Sequence, residues 1–307
     1  MNALIRFAAG LILILGLPGM GFAKSPLQVH VSILPQKYFV ERIAGDLAQV
    51  DVLVKPGKSP ATYSPSPDQI KKLAGSDVYF RIGVPFENGF LHKIEDIAGN
   101  ILVKDTRQGI RLRDMEADHE GEEHEAEEDH DHGEEGHEHG EDHHHEGKDP
   151  HIWMSPVLVK KQADMIFQTL ADLDPEHRDI YEKNHNAFSQ DLDGLHQELT
   201  RVLAPMKGEN LFVFHPAFGY FTDAYGLHQI AVENMGKSPK GKELSRIIKL
   251  ARTEKARVIF VQPQFDRNAA QKIASAINGA VVSIDPLARD YLANMRKIGA
   301  TVAAQIK

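Results

Sequence analysis

Past an apolar opening, short runs rich in β-branched and aromatic residues alternate with stretches whose apolar positions recur every three or four residues. The first half reads as a strand over "LQVHVSIL", then a helix over "PQKYFVERIAG", opened by Pro35 and closed by Gly45. A strand over "QVDVLV", a helix over "DQIKKLAG", a strand over "DVYFRIG", a helix around "FLHKIEDIAG" and a strand over "ILVKDT" follow. The same rhythm restarts at Asn210: "NLFVFH", "HQIAV", "RVIFVQ" and "AVVSID" are strands. The helices "AFGYFTDAYG", "ELSRIIKLARTEK", "NAAQKIASAING" and "DYLANMRKIGATVAAQI" follow them in turn. Strands separated by helices cannot pair as hairpins, so the pattern predicts parallel sheets with crossover helices. The fold class expected is α/β, with two similar domains, each a four-stranded parallel sheet with flanking helices.

Between the two halves lies a stretch that is helical throughout. Ser155 and Pro156 read as an N-cap and first helical residue, and Asp174–Pro175 repeats the device. The second helix should run to about Leu203, roughly 28 residues or about 42 Å at ~1.5 Å per residue. A helix of that length suits a rigid backbone joining two domains. The boundaries expected are 24–113 with 149–174 for the first domain, 175–206 for the linker helix and 207–307 for the second domain.

Two segments stand outside this pattern. Residues 1–23 hold Arg6, an apolar run "FAAGLILILGL" too short to span a bilayer, and the small residues Gly21 and Ala23. They predict a signal peptide cleaved after Ala23, leaving 284 of the 307 residues as an exported chain. The chain has no cysteine, so it has no disulfide and no thiolate metal ligand. A lipid anchor on cysteine is excluded too, which points to a free protein in a periplasm. The second segment, residues 114–148, carries nine histidines and almost no aliphatic side chains. It cannot offset its ordering entropy by burial, which predicts a disordered acidic His-rich loop. Asp114 to Asp149 contains 18 acids and one base, so this stretch carries −17 of the net −9 and the remainder about +8. The acidity belongs to one insertion and is no sign of a basic partner.

Three residues stand where parallel α/β sheets place ligands, beyond the strand C-termini or where the domains face each other. His215 ends "LFVFH", Asp285 ends "VVSID", and His151 sits in "DPHIWMSP" just before the linker helices. Two adjacent parallel strands would let His215 and Asp285 converge. Two imidazoles and a carboxylate suit a divalent transition metal, zinc above all. Each residue also has a plain reading: a histidine fixing a turn, or an aspartate capping a helix before proline. No phosphate-cradling glycine loop, nucleophile elbow or basic-aromatic surface appears, so nucleotide, acyl-transfer and nucleic-acid functions find no support.

In their order and spacing, "DPHIWMSP", "FVFHPAFGYF", "QPQF" and "IDPLA" resemble the zinc- and manganese-binding receptors of ABC importers, the cluster A-I solute-binding proteins. The likeness is nearest to the zinc-uptake branch and covers nearly the whole exported chain. It implies two α/β domains held by a backbone helix, one metal in the cleft, and no enzyme activity. It also implies an ABC permease as membrane partner, with the receptor itself expected as a monomer. His151, His215 and Asp285 match three of the family's ligand positions, and histidine at 215 favours Zn²⁺ over Mn²⁺. One position departs: the family's "GxSPHxYEPxP" is "GKSPATYSPSP" here, with Ala61 in place of the first ligand histidine and Ser64 in place of a frequent glutamate. Candidates to fill that position are the loop histidines His143, His144 and His145, Glu87, a water, or the neighbouring Tyr63 and Arg81. Arg81 has the alternative of pairing with Glu87. The other functional readings are a zinc chaperone or buffer uncoupled from a permease, and a zinc hydrolase with an open coordination site. Zinc binding is expected to weaken as pH falls through about 6.5, because the ligating imidazoles must be neutral.

Overall fold

The computed structural model describes residues 25–89, 101–115, 147–233 and 239–305. The leader expected over 1–23, the helix expected around 90–99, and the loop histidines His143, His144 and His145 lie outside the described residues.

The first sheet contains β1 (Leu27–Val31), β2 (Ala48–Val52), β3 (Val78–Arg81) and β4 (Leu102–Asp105), in the order β2-β1-β3-β4 and parallel throughout. Helix α1 (Leu34–Ala44) carries Pro35 in its first turn and stops at Gly45, whose positive φ of 55° is open to glycine at little cost. Helix α2 (Pro67–Ala74) is started by a capping box: Ser66 and Gln69 satisfy each other's backbone N–H groups.

The central helices are α3 (Pro156–Leu173) and α4 (Arg178–Leu203). The C-terminal sheet repeats the first: β5 (Asn210–Val213), β6 (His228–Ala231), β7 (Val258–Val261) and β8 (Ala280–Ser283), parallel, in the order β6-β5-β7-β8. Around it lie α5 (Gly219–Tyr225), α6 (Gly241–Thr253), α7 (Arg267–Ala276) and α8 (Tyr291–Gln305). Strand β7, "VIFV", is buried at every position, as expected for a strand covered on both faces.

Along β5 the side chains alternate between two cores. Leu211 and Val213 join the main core, which is continuous with the N-terminal sheet, whereas Phe212 and Phe214 face the smaller core under α6 and α7. Helix α4 buries Tyr181, Phe188, Leu192, Leu195, Leu199 and Leu203, one stripe at helical spacing. That stripe packs against α1 and α3 of the first lobe and α8 of the second. Ion pairs flank it on both sides, Arg42 to Asp191 at 2.6 Å and Arg296 to Glu198 at 2.7 Å.

Two local expectations around residue 174 are refined, and the expected N-cap at Ser155 is found. Helix α4 has 26 residues, because Pro175–His177 forms a 3₁₀ turn first. Asp174 is the N-cap residue of that 3₁₀ turn without a side-chain capping bond; its buried carboxylate accepts from the Tyr181 hydroxyl at 2.8 Å and pairs with the His177 ring at 2.7 Å. Ser155 occupies the N-cap position of α3 without a side-chain capping bond.

Candidate metal centre

His151 is held by its own sequence neighbourhood. It is the last residue before a 3₁₀ turn, Ile152–Met154, whose three side chains are buried. Asp149, itself buried, accepts from the His151 backbone N–H at 2.9 Å, and the same Oδ1 lies 2.7 Å from the ring Nδ1. A carboxylate at Nδ1 selects, for a neutral ring, the tautomer with its proton on Nδ1 and its lone pair on Nε2.

His215, just beyond β5, is fixed the same way by residues distant in sequence. Gln262, at the end of β7, accepts from its backbone N–H at 3.1 Å and donates to its carbonyl at 2.7 Å. Its Nδ1 pairs with the buried carboxylate of Glu233, beyond β6, and its ring stacks on Phe265 at 4.8 Å. Burial holds the His215 pKa below the ordinary histidine value, against the opposing pull of Glu233. The two rings meet across the lobes with centroids 5.2 Å apart and planes at 75°. Two imidazoles with Nδ1 on carboxylates are arranged as metal-ligating histidines are, Nε2 available and orientation fixed by an outer partner.

Asp285 follows β8, and β7 lies between β8 and β5, so the expectation that His215 and Asp285 leave adjacent strands is corrected. Its Oδ1 accepts from Leu287 N at 3.0 Å and Gln264 Nε2 at 2.9 Å, forming a turn before Tyr291 rather than capping a helix. Asp285 lines a cleft with Ile33, Val54, Lys55 and Lys58 of the first lobe. Among the described residues, no group of three or more histidine, aspartate or glutamate side chains stands at closed metal-site spacing. The structure thus brings His151 and His215 together and leaves Asp285 on the cleft wall.

Glu87 is committed elsewhere. Fully buried, it accepts from Ser32 Oγ at 2.5 Å, Ile82 N at 3.0 Å, Gly83 N at 2.7 Å and Arg81 Nε at 3.1 Å. Arg81 accordingly takes its pairing alternative, with Asp105 as second partner at 3.7 Å. Tyr63 donates to Gln69 at 2.8 Å. The remaining described histidines have local roles: His30 bonds Ser76 at 2.6 Å, His185 bonds Asp164 at 2.8 Å and stacks on Phe167, and His228 is exposed. The two carboxylates that hold the imidazoles are not evident from the sequence alone. Asp149 was visible as the first letter of "DPH", but Glu233 has no local signal, because only the β5–β6 pairing brings it to His215.

Two parallel-sheet lobes on one long helix, with a histidine from each lobe meeting in the cleft, define a two-domain solute-binding protein. The family described as "ZnuA: Zinc-uptake complex component A periplasmic" matches residues 29–305, and the chain belongs to it. It is 28% identical to the high-affinity zinc uptake system protein ZnuA of Yersinia pestis over 262 residues, covering 84% of this chain and 82% of that one. A crystal structure of ZnuA superposes with a TM-score of 0.80 at 35% identity, covering 92% of this chain and 100% of that one. A ZnuA deletion mutant with zinc bound superposes with a TM-score of 0.79, also at 35% identity, covering 92% and 98%.

Proposed function

We propose that this chain is a periplasmic receptor that captures Zn²⁺ in the cleft between its lobes and delivers it to an ABC permease. The ligands are His151 and His215 through Nε2, and Asp285 through Oδ2, since both hydrogen bonds to its carboxylate fall on Oδ1. The observation that carries the reading is the pair of carboxylate-backed imidazoles, one from each lobe, 5.2 Å apart by ring centroids. Asp285 stands apart from that pair, so it reaches the ion by a small closure of the cleft, and a water or loop histidine takes the position that Ala61 leaves empty of ligand atoms. The domains divide at 174/175 and 206/207, the leader over 1–23 is removed on export, and the receptor works as a monomer. The His-rich loop acts as a weak, multi-site collector. Membership of a zinc-uptake family favours a receptor over a hydrolase.

The test is calorimetric titration with Zn²⁺ of a chain lacking residues 114–148. One tight site is expected to remain and to be lost in His215→Ala on that background. Loss of the tight site with the loop, or its persistence in His215→Ala, overturns the assignment.

A further inference from the structure

The two histidines differ in what stands behind their carboxylates. Glu233, behind His215, has its second oxygen buried with no hydrogen-bond partner among the described residues. Asp149, behind His151, is shared with a cation: Arg113 Nη1 lies 3.6 Å from its Oδ2.

Arg113 is seated rather than draped. It ends the chain segment entering the acidic His-rich insertion, whose stem is closed by an antiparallel bridge between Asp114 and Lys148 and by Asp149 N donating to Arg113 O at 3.0 Å. Its backbone N–H donates to Tyr220 Oη at 3.0 Å, and that hydroxyl donates to Asp149 O at 3.0 Å. Its guanidinium also pairs with Asp223 of α5 at 3.4 Å. The space it occupies is the hollow over Gly219, where a Cβ would fall 1.2 Å from Nη1 and 2.9 Å from Asp149 Oδ2. Any side chain at position 219 would therefore displace this guanidinium, which lies between the segments that carry His215 and His151.

We propose that Arg113 is a positioning residue of the metal site that weakens His151 as a ligand, acting through Asp149, so that bound metal remains releasable. This inference rests on the zinc-receptor reading above. A carboxylate that shares its charge with a guanidinium is a weaker acceptor for the His151 Nδ1–H, which leaves Nε2 a poorer donor to the metal. The guanidinium also repels an arriving cation directly, with the same sign. Among the described residues no cation pairs with Glu233, which leaves His215 as the firmer anchor.

The experiment is a double-mutant cycle on the full chain, Arg113→Met with Asp149→Asn, read as Zn²⁺ affinity and dissociation rate in competition with a chelator. Arg113→Met tightens zinc about tenfold and slows its release, whereas a purely structural role would weaken binding. In the Asp149→Asn background the same change has a smaller effect, because only the direct repulsion is then relieved. Arg113→Lys keeps the charge and stays near wild type. Gly219→Ala, which expels the guanidinium but leaves the charge in the chain, tightens zinc as Arg113→Met does. Unchanged or weaker binding in both Arg113→Met and Gly219→Ala overturns the inference. An equal effect in the Asp149→Asn background overturns it too. His215→Ala run in parallel separates the two levels: zinc binding that survives it refutes the site itself, while zinc binding lost there without tightening in Arg113→Met refutes only the role of Arg113.

Discussion

The indole Nε1 of Trp153 donates to the carbonyl oxygen of Pro286 at 2.8 Å, across 133 positions of sequence. Trp153 lies in the 3₁₀ turn that begins beside His151, and its ring is 5.0 Å from the His151 ring. Pro286 follows Asp285 directly. One hydrogen bond therefore ties the segment that carries His151 to the segment that carries Asp285.

Trp153→Phe keeps an aromatic body in the core and removes the donor. The buried Pro286 carbonyl then loses its partner, which should cost about 1–3 kcal/mol in urea unfolding of the metal-free chain. Zinc affinity should fall as well, because the turn and the Asp285 loop are no longer tied. Stability and affinity both unchanged would remove Trp153 from this account.

Glu233→Gln tests the firmer of the two imidazole tethers. The amide still fills the site but carries no charge, so His215 loses polarisation at Nδ1. Zinc affinity is expected to drop by roughly tenfold or more, with the fold preserved by far-ultraviolet circular dichroism. Wild-type affinity in this variant would mean that the carboxylate does not support the ligand.

In the proposed site, protons compete with metal for His215. Burial depresses its pKa, so the neutral ligand form persists to lower pH than for an exposed histidine. The loss of zinc affinity attributable to His215 is therefore centred below pH 6.5, the value at which an unperturbed imidazole would place it. Affinities measured from pH 7.5 to 5.0 check this; a loss complete above pH 6.5 would contradict it.

His30 supplies a pH dependence of stability remote from the metal. Burial within β1 lowers its pKa below 6.5, with Ser76 on Nδ1. As pH falls below about 6.5 the unfolded chain takes up the proton more readily than the folded one, so stability declines until the folded pKa is passed. Above that window the group contributes nothing. Urea unfolding of the metal-free chain should show a shallower acid decline in His30→Gln than in the wild type; identical slopes would refute the assignment.

Gly279 lies where the turn after α7 passes the start of β7. A Cβ there would approach the backbone oxygen of Arg257 to 2.6 Å, and that oxygen already accepts from Ala280 N at 2.9 Å. Backbone cannot yield as a flexible side chain does, so Gly279→Ala should destabilise by about 1–3 kcal/mol, read as a lower Tm. An unchanged Tm would show that the turn relaxes freely.

Much of this molecule is legible in its sequence, for stated reasons. The strands are short apolar runs between helical repeats, and each of the eight is found where "LQVHVSIL" through "AVVSID" place it. The α4 stripe from Tyr181 to Leu203 is likewise visible as spacing. Strand order is not, and it decides the site: β7 separates His215 from Asp285, while β6 brings Glu233 to His215. Glu87 illustrates the opposite limit. An acid near a strand end looks available in sequence, but the turn after β3 closes around it with two backbone N–H groups and Arg81. The role of Gly219 is equally invisible without Arg113 in its hollow.

One zinc ion is expected between the lobes, on His151 and His215. The most direct measurement is a zinc-soaked crystal of the chain lacking residues 114–148, with anomalous diffraction recorded on both sides of the zinc edge. One strong anomalous peak is expected about 2.0–2.1 Å from Nε2 of both histidines, with Asp285 drawn into the coordination sphere. A cleft without anomalous density, or a peak held by other residues, would contradict it.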